Sequence, residues 1–337
     1  MKAIVLRKYG GPEVLRPEET YDPVPGRDEV LVTLEYAGIN YADILSRKGL
    51  YGWSDKLPYI PGMEGTGVIT DTGPGVDKSY IGKKVIAGSK NGMYAEKAVV
   101  PVDRTIPVID KYSAAENAAF LVNYMTSWVA LFKMAKVQPG EKVLVTAAAG
   151  GVGTAAVQLA SGFGCDVYGM AGSETKTEII KSCGAIEGFN YRSNNAFRDL
   201  GDLTGGVDVV IELVGGEIYR KSMELLNPFG RIVVTGFASL DLKKWNPLSW
   251  IRTWMDIPRA NIREMANSSV GVMATHLGYL LENNPAILKQ IYDEIYEFII
   301  KQEIHPVIGA VFPFEQVSEA HKLIESRESS GKILLRL

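Results

Sequence analysis

Cysteine is nearly absent from this chain of 337 residues. Only Cys165 and Cys183 occur, so neither a disulfide framework nor a four-cysteine zinc lobe can be built. Histidine is almost as scarce: His276, His305 and His321 show none of the paired spacings of a metal site. Each is expected on the surface or in a loop rather than as a ligand. An excess of positive charge is missing too. The formal net charge is −3 and no Lys/Arg run appears, which excludes an electrostatic footprint for nucleic acid. The apolar run Ala3-Ile4-Val5-Leu6 stops at Arg7 and Lys8, too short for a signal peptide. No internal repeat or low-complexity tract is visible. These absences point to a reducing, cytoplasmic setting.

The chain is long enough for two domains. Its first ~120 residues read as short strands, at 30–36, 67–70, 84–86 and 95–100, broken by Pro25-Gly26, Pro61-Gly62 and Gly73-Pro74-Gly75. That texture suggests a β-barrel-like domain. Ser113 and Glu116 then form a capping box at the head of a helix. From Glu141 the pattern changes to strands at 143–146, 166–170, 208–212 and 231–236 with helices between, notably 153–162 and 175–183. Such alternation is the signature of a parallel sheet built from βαβ units. An amphipathic helix at 286–301 follows. A helix at 314–325 and a strand at 332–336 then resemble a return to the first domain.

Most of the functional signal lies between Val143 and Leu159. A β-branched run ends in a Gly-rich turn, Ala147-x-x-Gly150-x-x-Gly153, and a small-residue helix follows without a gap. Glycines there let the backbone pass close to a pyrophosphate, which the free N–H groups and positive dipole end of the helix attract. A bare glycine match is weak, but the preceding strand and following helix supply the confirming context. A plain tight turn or a membrane span is the alternative for so apolar a stretch. Its alanines and glycines dilute the hydrophobicity, and no stop-transfer charges flank it.

Four further motifs accompany this turn: Ala37-Gly38-Ile39-Asn40-Tyr41-Ala42-Asp43, Arg47-Lys48-Gly49-Leu50-Tyr51, Pro61-Gly62-Met63-Glu64-Gly65-Thr66-Gly67 and Gly92-Met93-Tyr94-Ala95-Glu96. In this order they resemble the medium-chain dehydrogenase/reductase superfamily, on its zinc-free quinone oxidoreductase branch. Leu121-Val122-Asn123-Tyr124-Met125-Thr126, Arg252-Thr253-Trp254 and His276-Leu277-Gly278-Tyr279-Leu280 are most similar to the vesicle amine transport protein homologues within it. The resemblance covers nearly the full length. It implies an α/β protein with a GroES-like catalytic domain at 1–124, a Rossmann cofactor-binding domain at 125–264 and a return segment at 265–337. The cofactor is expected in the cleft between the two domains.

Zinc members of the superfamily place cysteine where Asn40 stands and histidine where Met63 stands. Neither asparagine nor methionine replaces thiolate or imidazole in a tetrahedral zinc site, so no metal is expected. Without a Lewis acid an unactivated alcohol is hard to oxidise, whereas a conjugated carbonyl still accepts hydride. The implied reaction is reduction of quinones or α,β-unsaturated carbonyls. A second class stays open, a cofactor-binding scaffold or sensor with little turnover, because the branch has crystallin-like members.

The NAD reading needs an acidic residue at the tip of the second strand, about twenty residues past the fingerprint. That strand ends Tyr168-Gly169-Met170-Ala171-Gly172-Ser173, and Glu174 comes one place later with Lys176 close behind. Members that use NADP have a small hydroxyl residue, a lysine and a tyrosine matching Ser173, Lys176 and Tyr191. The resemblance therefore implies NADP (NADPH), with Glu174 on a ribose as the NAD alternative. A plainer reading makes Ser173 a helix cap and Lys176 a solvated charge.

Other implied cofactor contacts are Asn40, Thr126, the turn Ala149-Gly150-Gly151-Val152-Gly153, Gly172, Leu213-Val214-Gly215, Gly236-Phe237-Ala238, Ala274, Thr275, His276 and Arg327. Asn40, Asp43 and Tyr51 match positions lining the nicotinamide end and are the expected catalytic group. In related mitochondrial enoyl-thioester reductases the tyrosine matching Tyr51 is the proposed proton donor. Asn40 could orient it, while Asp43 could instead bind the backbone of its own turn.

Residues 243–263 interleave Trp245, Trp250 and Trp254 with Lys243, Lys244, Arg252, Arg259 and Arg263. The favoured reading is a flap or dimer contact, with a membrane-surface helix as the alternative. The resemblance also implies a homodimer, for which the strand at 231–236 and the stretch after it are the candidate edge.

Overall fold

A computed structural model describes residues 1–53, 55–236, 260–284 and 286–337. The expected contacts Phe237 and Ala238, and all of the aromatic-basic segment at 243–263 except its last four residues, lie outside the described residues. The chain divides into two compact units, Met1–Met125 with Leu277–Leu337, and Thr126–His276.

The first unit is organised on one long strand, Glu29–Ile39. Its alternating Val30, Val32 and Leu34 point into the core, as period-2 patterning requires. At its far end Ala37, Gly38 and Ile39 are buried consecutively. Sheet order is Ile308–Pro313, Lys332–Arg336, Glu29–Ile39, Glu64–Thr72, Lys84–Gly88 and Thr105–Pro107. Lys97–Pro101 pairs the first half of Glu29–Ile39, and Lys332–Arg336 pairs the second half. The return segment thereby completes the sheet next to Asn40. Phe314, Val317, Ile333 and Leu335 share one core with Ile4, Val30, Val32 and Tyr94. Burying each such aliphatic or aromatic side chain contributes ~1.5–3 kcal/mol. Helix Ala286–Lys301 buries Leu288, Ile291, Tyr292, Ile295 and Ile299, the stripe expected of an amphipathic helix.

Among the described residues the second unit forms a six-stranded parallel sheet. In order across the sheet the strands are Glu187–Asn190, Asp166–Ala171, Lys142–Val145, Val207–Glu212, Leu226–Val234 and Gly271–Ala274. Numbered along the chain this is 3-2-1-4-5-6, the doubly wound Rossmann order with its switch point between Lys142–Val145 and Val207–Glu212.

One expectation is corrected here. The strand expected at 231–236 is not a sheet edge, because Gly271–Ala274 pairs along it from Arg231 to Val234. A break at 264/265 would fall inside helix Ile262–Ser268, and the strand after it still belongs to the parallel sheet. Among the described residues no helix is long and apolar enough to cross a membrane.

Candidate functional site

In the second unit, strand Lys142–Val145 runs into the turn whose first fingerprint position is Ala147. Its φ is +46°, a left-handed conformation that costs a residue with a Cβ ~1–2 kcal/mol. The turn closes through Gly150 N–H on Ala147 O at 3.0 Å, and helix Gly151–Gly162 starts at once. At Gly153 a Cβ would lie 2.3 Å from Ala147 O and 2.7 Å from Ala148 Cα, so glycine is required for the helix to pack on the turn. The N–H groups of Gly151, Val152 and Gly153 belong to the first helical turn, which has no intrahelical acceptors for them. This cradle fits a pyrophosphate.

Next to it, the strand ends Ala171 and Asn190 lie side by side. Tyr191 N–H donates to Ala171 O at 2.9 Å, and a Cβ on Gly172 would sit 2.9 Å from the Tyr191 hydroxyl and 3.5 Å from Arg192 Nε. Ser173 is the N-cap of helix Glu174–Ser182, and half-buried Lys176 lies in its first turn. Gly172, Ser173, Lys176 and Tyr191 thus share one corner, with Arg192 as a cation the sequence reading missed. Glu174 is engaged elsewhere. Its Oε1 accepts Asn190 Nδ2 at 3.0 Å, and Asn190 Oδ1 in turn accepts Arg192 N–H at 3.1 Å.

A second overlooked residue, Glu212, ends strand Val207–Glu212 fully buried. Its Oε1 accepts Val214 N–H at 2.9 Å and Gly215 N–H at 3.0 Å, and Thr146 Oγ1 donates to it at 3.2 Å. Thr146 Oγ1 also accepts Leu213 N–H at 2.8 Å. The Glu212 carboxylate therefore holds Val214 and Gly215 directly, and Leu213 through Thr146. Burial pushes that carboxyl above its ordinary range, against the pull of these donors. Gly236 stands close by, where a Cβ would be 3.1 Å from Leu213 O. Ala274 ends the edge strand, Thr275 N–H donates to Val234 O at 3.1 Å, and half-buried His276 follows with its pKa lowered by burial. Thr126 is buried in helix Leu121–Trp128.

In the first unit, Asn40 caps helix Tyr41–Lys48 and is itself buried. Asn40 Nδ2 donates to Glu64 Oε1 at 3.0 Å, and Asn40 Oδ1 accepts Lys332 Nζ at 2.6 Å. Lys332 is also ion-paired with Glu64, whose other oxygen accepts Val122 N–H at 2.8 Å. Asp43 Oδ2 accepts Asn40 N–H at 2.8 Å, the capping-box bond of its own turn. Burial pushes the Asp43 carboxyl up to about 7, against the Asn40 N–H and the Lys332 charge.

Behind Asp43 a chain of buried groups continues. Tyr94 hydrogen-bonds Asp43, its hydroxyl lies 3.2 Å from His321 Nε2, and Arg47 Nη1 donates to His321 Nδ1 at 3.3 Å. Arg47 reaches the surface through Glu325 at 2.7 Å. Burial, then the Arg47 charge, hold the His321 pKa well below its ordinary value. With Nδ1 accepting from Arg47, the neutral ring carries its proton on Nε2. His321 was expected at the surface or in a loop. It is instead fully buried in helix Val317–Glu325, because Arg47 and Tyr94 satisfy both ring nitrogens.

Tyr51 is half-buried beyond the end of helix Tyr41–Lys48. Burial, then the Asp43 charge, then Tyr279 push its phenol upward, so it stays a proton carrier at neutral pH. Its loop is anchored by Trp53, whose indole N–H donates to Glu282 on helix Leu277–Asn283. Arg327 is exposed after helix Val317–Glu325, with φ +61°.

Glu64, Lys332 and Tyr94 escaped the sequence reading. The available signals were a carboxylate set among the glycines of Pro61–Gly67 and a lone lysine heading an apolar strand.

Comparison with known proteins bears on the family and the fold. Residues 26–110 match a family model described as an alcohol dehydrogenase GroES-like domain, and residues 183–335 match one described as a zinc-binding dehydrogenase. The chain is 33% identical to the human synaptic vesicle membrane protein VAT-1 homolog, over 99% of this chain and 86% of that protein. It is 32% identical to mouse quinone oxidoreductase, over 100% of this chain and 98% of that one. Among solved structures, Escherichia coli quinone oxidoreductase complexed with NADPH superposes with a TM-score of 0.88 at 27% identity, covering 100% of both chains.

Proposed function

The chain belongs to the medium-chain dehydrogenase/reductase superfamily, in its quinone oxidoreductase branch, and from that premise we propose a reductase of quinones or α,β-unsaturated carbonyls working by direct hydride transfer without zinc. The cofactor is NADPH. When bound, NADPH supplies the hydride, and the protein's own groups bind, orient and protonate. Gly151, Val152 and Gly153 turn their N–H groups to the pyrophosphate. Ser173, Lys176 and Tyr191 hold the 2′-phosphate through charge-assisted bonds. Glu212 fixes Leu213–Gly215, and Thr126, Gly236, Ala274, Thr275, His276 and Arg327 supply further contacts.

Tyr51 gives a proton, or a hydrogen bond, to the substrate oxygen on which negative charge develops. Burial raises its pKa, so the phenol stays protonated and offers a hydrogen bond more readily than a full proton. Asn40 presents an amide N–H to the reacting groups. Asp43, being buried, acts through the Asn40 turn rather than on substrate.

The observation that carries this reading is the donor set around Asn40. Amide, ammonium and carboxylate are mutually hydrogen-bonded and buried, which suits recognition of a carbonyl oxygen and not a tetrahedral N/S metal site. Steady-state assays with NADPH against a panel of quinones and enones test it. Turnover of at least one class is expected. No turnover on any member, with NADPH bound, would leave a cofactor-binding scaffold in its place. The homodimer expected from the resemblance is assigned to the edge strand Gly271–Ala274.

A further inference from the structure

Glu64 is 0% exposed and Lys332 2%, a carboxylate and an ammonium removed almost wholly from water. Desolvating two charges usually outweighs their mutual attraction, so such a pair is poor evidence for stability and invites a search for another role. The fold makes specific room for it. A Cβ on Gly38 would lie 2.8 Å from Glu64 Cγ, from Glu64 Oε1 and from Lys332 Cε. The register places Gly38 opposite Glu64 on one side and Leu334 on the other, so the two charges meet across the backbone of residue 38.

Both charges converge on one amide. Asn40 Oδ1 accepts from Lys332 and Asn40 Nδ2 donates to Glu64. Rotating the amide by half a turn would set its NH₂ against an ammonium and its C=O against a carboxylate. Partners of opposite sign therefore select one of two orientations that are otherwise nearly equal in shape. One Asn40 N–H is committed to Glu64, and the second has no partner among the described residues.

We propose that Glu64 and Lys332 are positioning residues for reduction: they lock the Asn40 carboxamide so that its second N–H is presented to the reacting carbonyl or carboxamide oxygen. The proposal rests on the reading of Asn40 as a contact of the reacting groups. It gives Lys332, 292 positions from Asn40 in sequence, a role no local motif announces.

The test is a double-mutant cycle between Lys332→Met and Asn40→Ala, with Lys332→Arg as the conservative variant. Lys332→Met should lower kcat roughly ten- to a hundredfold, the scale of misplacing one oriented group, with the NADPH Kd within about twofold. In the Asn40→Ala background it should cost nothing further, and Lys332→Arg should restore most of the rate. Losses that add, or an unchanged kcat in Lys332→Met, would overturn the proposal. Should Lys332→Met fail to fold, Glu64→Gln/Lys332→Met removes both buried charges. This variant should fold at the wild-type Tm or above without regaining turnover, and regained turnover would overturn the proposal. If the wild type reduces nothing, the reductase reading fails separately. The orientation is then read from the Asn40 side-chain amide resonances by NMR. Slow hydrogen exchange of one amide proton should be lost in Lys332→Met, and retained protection would refute the lock.

Discussion

Gly278 and Trp53 pack so closely that a methyl group on residue 278 would lie 2.5 Å from the indole ring. Glycine at this helical position lets the tryptophan lie on the helix backbone while its N–H bonds Glu282. Tyr51 is two residues from that anchor. Gly278→Ala should therefore displace the Tyr51 loop. Overpacking of this kind costs about 1–3 kcal/mol in stability. kcat should fall roughly ten- to a hundredfold with NADPH affinity unchanged, since the cofactor-binding turn belongs to the other unit. Fluorescence titration with NADPH and steady-state rates separate the two. Equal losses in both would mean a general fold defect.

Lys176 is the sharpest test of the phosphate corner. Lys176→Ala should weaken NADPH by roughly five- to thirtyfold, the loss of one partly exposed charge-assisted contact, and leave NADH nearly unchanged. Raising salt should narrow the gap. Equal weakening of both cofactors would assign Lys176 to the fold. A wild-type preference for NADH would require Glu174 to leave Asn190 for the ribose.

What the sequence made legible follows from where its signals are strong. Central strands such as Lys142–Val145 and Val207–Glu212 are buried on both faces, so they read as apolar runs. The helix at 286–301 and the strand at 332–336 match their observed bounds because their patterns are long or densely apolar. Strands Glu187–Asn190 and Gly271–Ala274 went unread. Both are sheet edges whose residues are half-buried or exposed, which dilutes the hydrophobic signal. In the site, local motifs revealed Asn40 and the Gly-rich turn. Glu64–Lys332 and Tyr94–His321 span 268 and 227 positions and exist only once the return segment closes the sheet. No periodicity encodes a contact of that range.

The edge strand carries the next expectation. Among the described residues Gly271–Ala274 has a partner strand on one side only, so its outer backbone groups can pair with a second copy. Sedimentation at micromolar concentration should give a dimer. Amide hydrogen exchange in a peptide covering 271–274 should slow as protein concentration rises. A monomer whose edge exchanges independently of concentration would remove the assignment.

Asp43 and His321, linked through Tyr94, should pull stability in opposite directions with pH. Asp43 titrates near 7 in the fold and near its ordinary value of about 3.9 when unfolded. Between those values the native protein holds a proton that the unfolded chain has released, so Asp43 makes stability fall as pH rises from about 4 to 7. His321 is held well below its ordinary value of about 6.5, so the unfolded chain takes up a proton that the native state refuses. Its contribution is therefore lost as pH drops below about 6.5. Where the windows overlap, the two slopes oppose each other, each up to ~1.4 kcal/mol per pH unit. Urea unfolding at pH 5, 6, 7 and 8 resolves them. Relative to wild type, Asp43→Asn should gain stability as pH rises towards 7 and hold that gain above it. His321→Gln should gain as pH falls below 6.5. An Asp43→Asn curve parallel to wild type across that range would show that the Asp43 carboxyl titrates alike in both states, and that Tyr94, Asn40 and Lys332 compensate its burial in full.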